Sequence, residues 1–515
     1  MNKLLFYYLA GIFILGCLIR SAPIIINYPL PIGYDSINYY IPNLYHFDNN
    51  LIVLVTSFPV FISTVYLFSH FSNISLYHSF LGSNVILYGL FSVSVYLLSN
   101  KILNQSYKRS LIFTVFVIFQ LGALRISWDL FRNLFSISLF NFFLLILFTF
   151  KKNNTLGHFI PNLSIFLISI VIIFSDRLIG ILLIISSFVL SIVYKQKYLF
   201  MINSFFTISF LYYFLSFDKI TFVSSNIDFF NILLNPLYGK NSFSQLDIFI
   251  LFLSMYSILI PFLIPGLIMA RSRDNMIIKI PLMITMIFSF TWIFVPNYSF
   301  LVPERWLLIL GIYLSLFSIY GFYLLTDFYL KTRRDILKNG IILSFLSFFV
   351  IYGILFIVVP SGNIYSLPSF FQEHTGFILP NSMNFNSLQI KDNQDLLKSI
   401  EWINSNTPEN SIIIGTKHWR GWFSLFLHKT HNYTYFEEFV NSDNTILNEK
   451  QIKNFSISLN KKFANLCNGH KFNNNKKSLY FIDLIKRYDT SLFSHVVFKS
   501  KNFIIYNLDS EICKD

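Results

Sequence analysis

The stretch Leu51–Phe68, LIVLVTSFPVFISTVYLF, decides how the whole chain is threaded. Its apolar run approaches the ~20 residues that a helix needs to cross a bilayer core of about 30 Å. Pro59 interrupts it, and a polar segment rich in Asn and Tyr precedes it. Two options follow: it spans, or it lies along the interface as a juxtamembrane helix. Eleven other stretches meet the spanning criterion: residues 4–19, 75–98, 110–127, 130–150, 159–174, 178–194, 198–217, 246–270, 276–295, 306–325 and 340–360.

Basic residues choose between the options, because Lys and Arg are retained on the cytoplasmic side. If Leu51–Phe68 stays at the interface, the N-terminus is cytoplasmic and the inward regions hold 15 basic residues. These include the clusters Lys101, Lys108, Arg109 and Lys331, Arg333, Arg334, Lys338. The outward side of residues 1–360 then holds seven: Arg20, Arg125, Arg132, Arg177, Lys219, Lys240 and Arg305. Letting the stretch span inverts every later loop. The reading is therefore eleven spans, a cytoplasmic N-terminus and an extracytoplasmic C-terminus, with residues 1–360 as the membrane domain. That domain carries residues 20–74 as its first outer loop.

Composition agrees. The 515 residues are 54% hydrophobic and 12% charged, with mean hydropathy +0.58. Soluble chains carry roughly 25% charged residues, so a soluble enzyme is excluded. A disordered chain is excluded by 62 Phe and 30 Tyr. The net charge of +14 belongs mostly to the inward loops, since residues 361–515 hold 17 basic and 14 acidic residues. It records topology rather than a nucleic-acid surface.

Two segments need their own argument. As one helix, Phe159–Tyr194 would run ~54 Å, too long for the core. Asp176 and Arg177 interrupt it, so it reads as two spans joined by a tight turn at Ser175-Asp176-Arg177. Lys3, an apolar run and Ile14-Leu15-Gly16-Cys17 resemble a bacterial lipoprotein signal. Ten spans follow it, and the first helix reads as retained.

Residues 361–515 read as a small α/β domain on the outer face. Asp392–Asn406 has apolar residues at helical spacing. Ile412-Ile413-Ile414 and Leu479–Ile485 read as strands, and His495–Phe498 with Phe503–Tyr506 as a hairpin. Cys467 and Cys513 are open to pairing or to standing as free thiols.

The candidates for chemistry gather on the outer side. The first outer loop contains Gly33-Tyr34-Asp35-Ser36-Ile37-Asn38-Tyr39-Tyr40. A carboxylate flanked by Tyr34 and Tyr39 near a membrane face has the chemistry of a general base for an acceptor hydroxyl. The alternative is a solvated Asp supporting a Pro/Gly turn. Asp176-Arg177 reads either as a phosphate contact through the Arg fork or as a helix cap with a local ion pair. In Val302-Pro303-Glu304-Arg305-Trp306, Pro and Glu suit the start of a helix. Arg305 does not, and a lipid phosphate would account for it. Arg125 and Arg132, around Trp128-Asp129, read as interfacial anchors. On the outward side, Asn-x-Ser/Thr sequences at Asn73, Asn297, Asn432 and Asn454 are possible glycan acceptors, near chance level in an Asn-rich chain. No Walker loop, His-Glu-x-x-His, Cys-x-x-Cys or Asp-x-Asp occurs. No cofactor is implied, and a divalent metal stays open.

This layout resembles the GT-C class of membrane glycosyltransferases, in particular relatives of dolichyl-phosphate-mannose protein mannosyltransferases. The resemblance rests on Gly33-Tyr34-Asp35 in the first outer loop, the juxtamembrane stretch with Pro59 and the outward C-terminal domain. The run Trp402-Ile403-Asn404 to Thr407-Pro408-Glu409-Asn410-Ser411 also looks like the opening of that domain in prokaryotic members. It implies transfer of a sugar, of hexosyltransferase type, from a polyprenyl-phosphate donor to a glycan, lipid or protein acceptor. Asp35 becomes the base. Asp176, Arg177, Glu304, Arg305, Tyr34 and Tyr39 become substrate contacts, and Asp35, Arg177 and Arg305 are expected to line one outward cavity. Two departures leave the acceptor open: no two Trp are adjacent, and Ser36 rather than an acidic residue follows Asp35. Two other classes stand against this reading: a transporter or flippase of lipid-linked saccharides, and a structural protein with an adhesive domain. Assigning every ionisable residue of 1–360 to loops or helix ends favours the enzyme over the transporter.

Overall fold

In hydrocarbon a chain must satisfy its own backbone polar groups, and the apolar stretches accordingly form helix. The computed structural model describes residues 3–47, 60–152, 159–217, 243–330, 335–359, 374, 379, 382–383, 390–416, 419–428, 430–436, 478–484 and 495–508. Pro59, Cys467, Cys513, Asn454, Lys219 and Lys240 lie outside the described residues. The chain divides into two compact units, Met1–Ile26 with Asn50–Asn384, and Asn27–Asn49 with Phe385–Asp515. The segment that carries Asp35 thus belongs to the same unit as the C-terminal residues.

The first unit is helical. Its helices are α1 (Lys3–Asn27, ending in the second unit), α3 (Val60–Ser72), α4 (Leu76–Leu97), α5 (Tyr107–Ile118), α6 (Leu121–Asp129) and α7 (Phe131–Lys152). They continue as α8 (Phe159–Ile173), α9 (Arg177–Tyr194), α10 (Lys197–Phe217), α11 (Gln245–Tyr256), α12 (Ile260–Met269), α13 (Met276–Ser289), α14 (Pro303–Tyr329) and α15 (Asp335–Val358). Helix α2 (Ile41–Phe47) falls in the second unit. Among the described residues, seven helical segments are long and apolar enough to cross a membrane, and nine when two bent pairs count as single spans. All eleven stretches read from the sequence are helical, two of them as bent pairs, and α8 and α13 have only 15 and 14 residues. Helix α3 has 13 residues, or about 20 Å of length, short of a bilayer core.

Each bent pair has a local cause. Helices α5 and α6 meet at 61°, where the Gln120 side chain caps α6 by accepting from Gly122 N at 2.7 Å. Helices α11 and α12 meet at 70°, and Pro261 opens the second of them. Helix α9 starts separately from α8, as the Asp176 interruption predicts.

Close approach and buried polar links hold this unit together, as lipid-embedded helices require. A Cβ on Gly266 of α12 would lie 2.0 Å from the Phe317 carbonyl oxygen of α14. One on Gly321 of α14 would lie 2.0 Å from the Phe262 carbonyl oxygen. Elsewhere Asn141 donates to Ser94 at 3.0 Å and accepts from Tyr313 at 3.1 Å, tying α4, α7 and α14.

The second unit is built on a five-stranded sheet of order β2-β1-β3-β5-β4. Its strands are β1 (Ile412–Thr416), β2 (Asn432–Phe436), β3 (Leu479–Leu484), β4 (Val496–Lys499) and β5 (Phe503–Asn507). Strand β1 pairs in parallel with β2 (Ile412 opposite Asn432) and with β3 (Ile412 opposite Leu479). Strand β5 pairs antiparallel with β3 and β4. Helices α16 (Ile390–Asn406) and α17 (Arg420–Phe426) complete it. Its core joins Leu396, Ile400, Ile403, Ile413, Trp419 and Trp422 to Ile37 of the N-terminal segment. The sequence reading finds four of the strands. It misses β2, whose NYTYF is short and polar at its start, and α17, only seven residues long.

The glycine contact gives a first prediction. Gly321→Ala should lower the stability of the first unit by about 1–3 kcal/mol through overpacking. Gly340→Ala, whose added Cβ meets nothing within 4 Å, should leave it unchanged or raise it slightly. Thermal unfolding of the two variants in detergent measures the difference.

Candidate functional site

Asp35 stands where irregular helix begins. Gly33, at φ 93°, makes the preceding turn, and its carbonyl accepts from Ile37 N at 3.3 Å. Residues Ser36–Tyr40 form a π-helical turn that runs into α2, a geometry frequent at functional sites. Asp35 occupies the cap position with helical backbone angles, φ −68° and ψ −26°, and makes no capping hydrogen bond. A capping side chain normally needs an extended backbone to reach back to the first turn. Among the described residues the half-buried Asp35 carboxylate has no hydrogen-bond or ion-pair partner.

Its neighbours are polar and enclosed. Ser36 is buried and its Oγ has no partner among the described residues, and the same holds for Asn38 Oδ1. Asn38 Nδ2 donates to the Tyr34 carbonyl at 3.2 Å. Tyr34 is exposed, while Tyr39 is half-buried with its ring edge-on to Tyr40 at 5.1 Å. Turn closure here uses backbone groups and the Asn38 amide, and the Asp35 carboxylate takes no part in it.

The first unit gathers the other candidates around three helix starts. Asp176, 5% exposed, caps α9: its Oδ1 accepts from Leu178 N at 3.0 Å and Ile179 N at 3.2 Å. Burial pushes its carboxyl up from the ordinary range, against the charges of Arg132 and Arg305 and the two backbone hydrogen bonds. Arg132 lies in the first turn of α7 and Arg305 in the first turn of α14. Arg177, the first residue of α9, is half-buried.

Helix α14 opens as its sequence suggests, with Pro303 at its first position and Glu304 in the first turn. Its cap is unexpected. Val302 sits in the left-handed region at φ 52°, ψ 52°, a strained state for a β-branched residue. Half-buried Arg305 makes no side-chain hydrogen bond or ion pair among the described residues; it faces only the longer-range charges of Asp176 and Glu304. A guanidinium held beside a helix N-terminus with its donors unused suits an oxyanion.

The cluster continues through residues that sequence reasoning did not single out. The buried Tyr298 donates from Oη to the Phe243 carbonyl at 2.6 Å. Burial, then the charges of Asp247 and Glu304, push its phenol up. His374 Nδ1 lies 2.7 Å from Asp247 Oδ1, and Asp247 closes a capping box with Ser244 at the head of α11. Sequence spacing carries no sign of these pairs, because 127 residues separate Asp247 from His374. Asn297 is 2% exposed, which removes it as an accessible glycan acceptor.

Two charge assignments change. Arg125 is buried within α6, ion-paired with Asp129 and 4.7 Å over the Trp128 ring, so it is no interfacial anchor. Arg20 is 1% exposed inside α1, which continues to Asn27. Its Nη2 reaches the Trp128 carbonyl at 3.4 Å, and its Nε and Nη1 lack partners among the described residues. These two cations therefore lie within helices rather than in loops. No group of three or more His, Cys, Asp or Glu suited to a metal occurs among the described residues.

No protein-family profile matches the chain, and no curated protein sequence matches it. Among solved structures it is similar to ArnT from Cupriavidus metallidurans in the apo state, with a TM-score of 0.50 and 11% identity. That alignment covers 98% of this chain and 99% of ArnT. The same protein bound to undecaprenyl phosphate aligns over 98% of this chain and 99% of its own, with a TM-score of 0.49 and 10% identity. The likeness concerns fold. The chain has an ArnT-like, GT-C-like architecture of membrane helices with a small sheet domain.

Asp176 supplies the prediction here. Asp176→Ala should cost about 1 kcal/mol by loss of the cap, whereas Asp176→Asn should keep it. The folded state holds the Asp176 proton more tightly than the unfolded chain does. Its contribution to stability therefore falls as pH rises from about 3.9 through the raised folded value. Asp176→Asn should flatten this dependence, measured as melting temperature against pH.

Proposed function

We propose that the protein is an integral membrane glycosyltransferase, moving a sugar from a polyprenyl-phosphate donor to an acceptor on the extracytoplasmic face. The observation that carries the reading is the Asp35 carboxylate, held on a π-helical turn and committed to no partner among the described residues. Structural carboxylates in this chain are consumed: Asp176 by a cap, Asp129 by Arg125, Asp247 by Ser244 and His374. Asp35 is left available to accept a proton. The fold likeness supports the class.

In this mechanism Asp35 takes the proton from an acceptor hydroxyl as its oxygen attacks the anomeric carbon of the sugar. The bond from that carbon to the phosphate oxygen breaks, and polyprenyl phosphate leaves with the electron pair. A single displacement of this kind inverts the anomeric centre. Arg305 and Arg177 are the first unit's candidate contacts for a lipid phosphate. Glu304 and Asp176 are the acidic groups whose charges act on Arg305. Tyr34 and Tyr39 offer aromatic faces to the sugar or the lipid. The positive-inside distribution of Lys and Arg supports the orientation.

The test is turnover of labelled polyprenyl-phosphate sugar by the full-length protein in nanodiscs, with release of polyprenyl phosphate as readout. Asp35→Asn should lower kcat by about 10²–10⁴. Arg305→Ala should raise the donor KM by roughly 10–100-fold, the equivalent of one charged hydrogen bond of about 1.5–3 kcal/mol. Equal release by wild type and Asp35→Asn would remove Asp35 from the reaction. Transmembrane movement of the lipid without release would replace the enzyme by a flippase.

A further inference from the structure

Within the second unit, the sheet has a topological switch point. From β1 the chain passes through α17 to β2 on one side, and then to β3 on the other side of β1. In open parallel sheets the crevice outside the carboxyl ends of such strands is where ligands bind. Here that position is taken by the chain itself. Helix α17 begins just beyond the end of β1, and in its first turn a Cβ on Gly421 would lie 1.5 Å from the Ile37 carbonyl oxygen and 2.2 Å from its carbon. Ile37 is fully buried among Trp419, Trp422 and Ile413. Its backbone thus rests directly on the backbone of α17, two residues from Asp35.

We propose that Gly421, with Trp422 behind it, is the seat that positions the Asp35 turn, so that the C-terminal sheet serves as a positioning device for the base. No side chain other than hydrogen fits at 421 without moving the Ile37 peptide. The contact is with backbone, so a rotamer change in Ile37 cannot relieve it. A shift of Ile37 is passed to Asp35 through a single helical turn. This inference rests on the reading of Asp35 as the base, yet the seat itself is measurable without turnover.

The experiment combines hydrogen exchange and kinetics on the full-length protein in nanodiscs. In Gly421→Ala, peptides covering residues 32–44 should exchange roughly tenfold faster, while peptides from α4 and α14 stay as in wild type. Turnover should lose roughly 10–100-fold in kcat, the cost of about 1 Å of misplacement, with the donor KM within twofold. Gly82→Ala, whose Cβ meets nothing within 4 Å, should change neither readout. If Gly421→Ala fails to fold, Trp422→Phe should give the same pattern at smaller size. Unchanged exchange in residues 32–44 in the variants that fold overturns the proposal, whatever turnover does. Faster exchange in Gly421→Ala with Asp35→Asn fully active keeps the seat and removes the base.

Discussion

A charge in hydrocarbon must be paired or moved to an end, and the rest of this structure follows from that constraint. The cost of a lone ionised side chain at mid-bilayer, about 2.5–3.5 kcal/mol by insertion, confines most of the chain's few carboxylates and guanidinium groups to helix starts and turns. Asp176, Glu304, Arg305, Arg132 and Asp247 all lie within a turn of a helix N-terminus. There the orphan N–H groups of the helix are available to anions. The arrangement that makes the first unit insertable also concentrates its polar chemistry at those starts.

Within that cluster, most charges are spent on structure. Asp176 closes a cap, Asp247 completes a capping box and accepts from His374, and Asp129 neutralises Arg125. The buried Arg125–Asp129 pair costs desolvation that its mutual attraction must offset. Arg305 in the first unit and Asp35 in the second keep donors or acceptors unused among the described residues. Their distinction comes from what they do not bond. Residue type alone does not separate Asp35 from Asp176, since both are single Asp residues at turns that lead into helix.

The sequence made the helices legible because lipid imposes a length and a composition. Asp176-Arg177 divides α8 from α9 as read, and Pro303-Glu304 opens α14 as read. The sheet was legible where β-branched or aromatic runs were dense, as in Ile412-Ile413-Ile414 and Phe503–Tyr506. It was not legible at β2, which gains its order by pairing with β1 and by stacking Tyr433 on Phe423 at 4.1 Å. Arg125 was misplaced although its partners Trp128 and Asp129 lie in its own helix, because burial of that helix is decided by packing. Arg20 was misplaced because its partner, the Trp128 carbonyl, lies 108 residues away. Sequence distance hides such partners.

By itself, then, the sequence determined that this is a polytopic helical protein with a small α/β domain, where its spans lie and which acidic and basic residues are scarce enough to matter. Hydropathy and helical period are local properties, and a single chain displays them. Only the tertiary structure decided that the Asp35 turn belongs to the C-terminal unit, with Ile37 in its core and its carbonyl against Gly421. Nearly four hundred residues separate those two positions. Their contact is set by packing of backbone against backbone, which leaves no periodic or compositional trace in the chain.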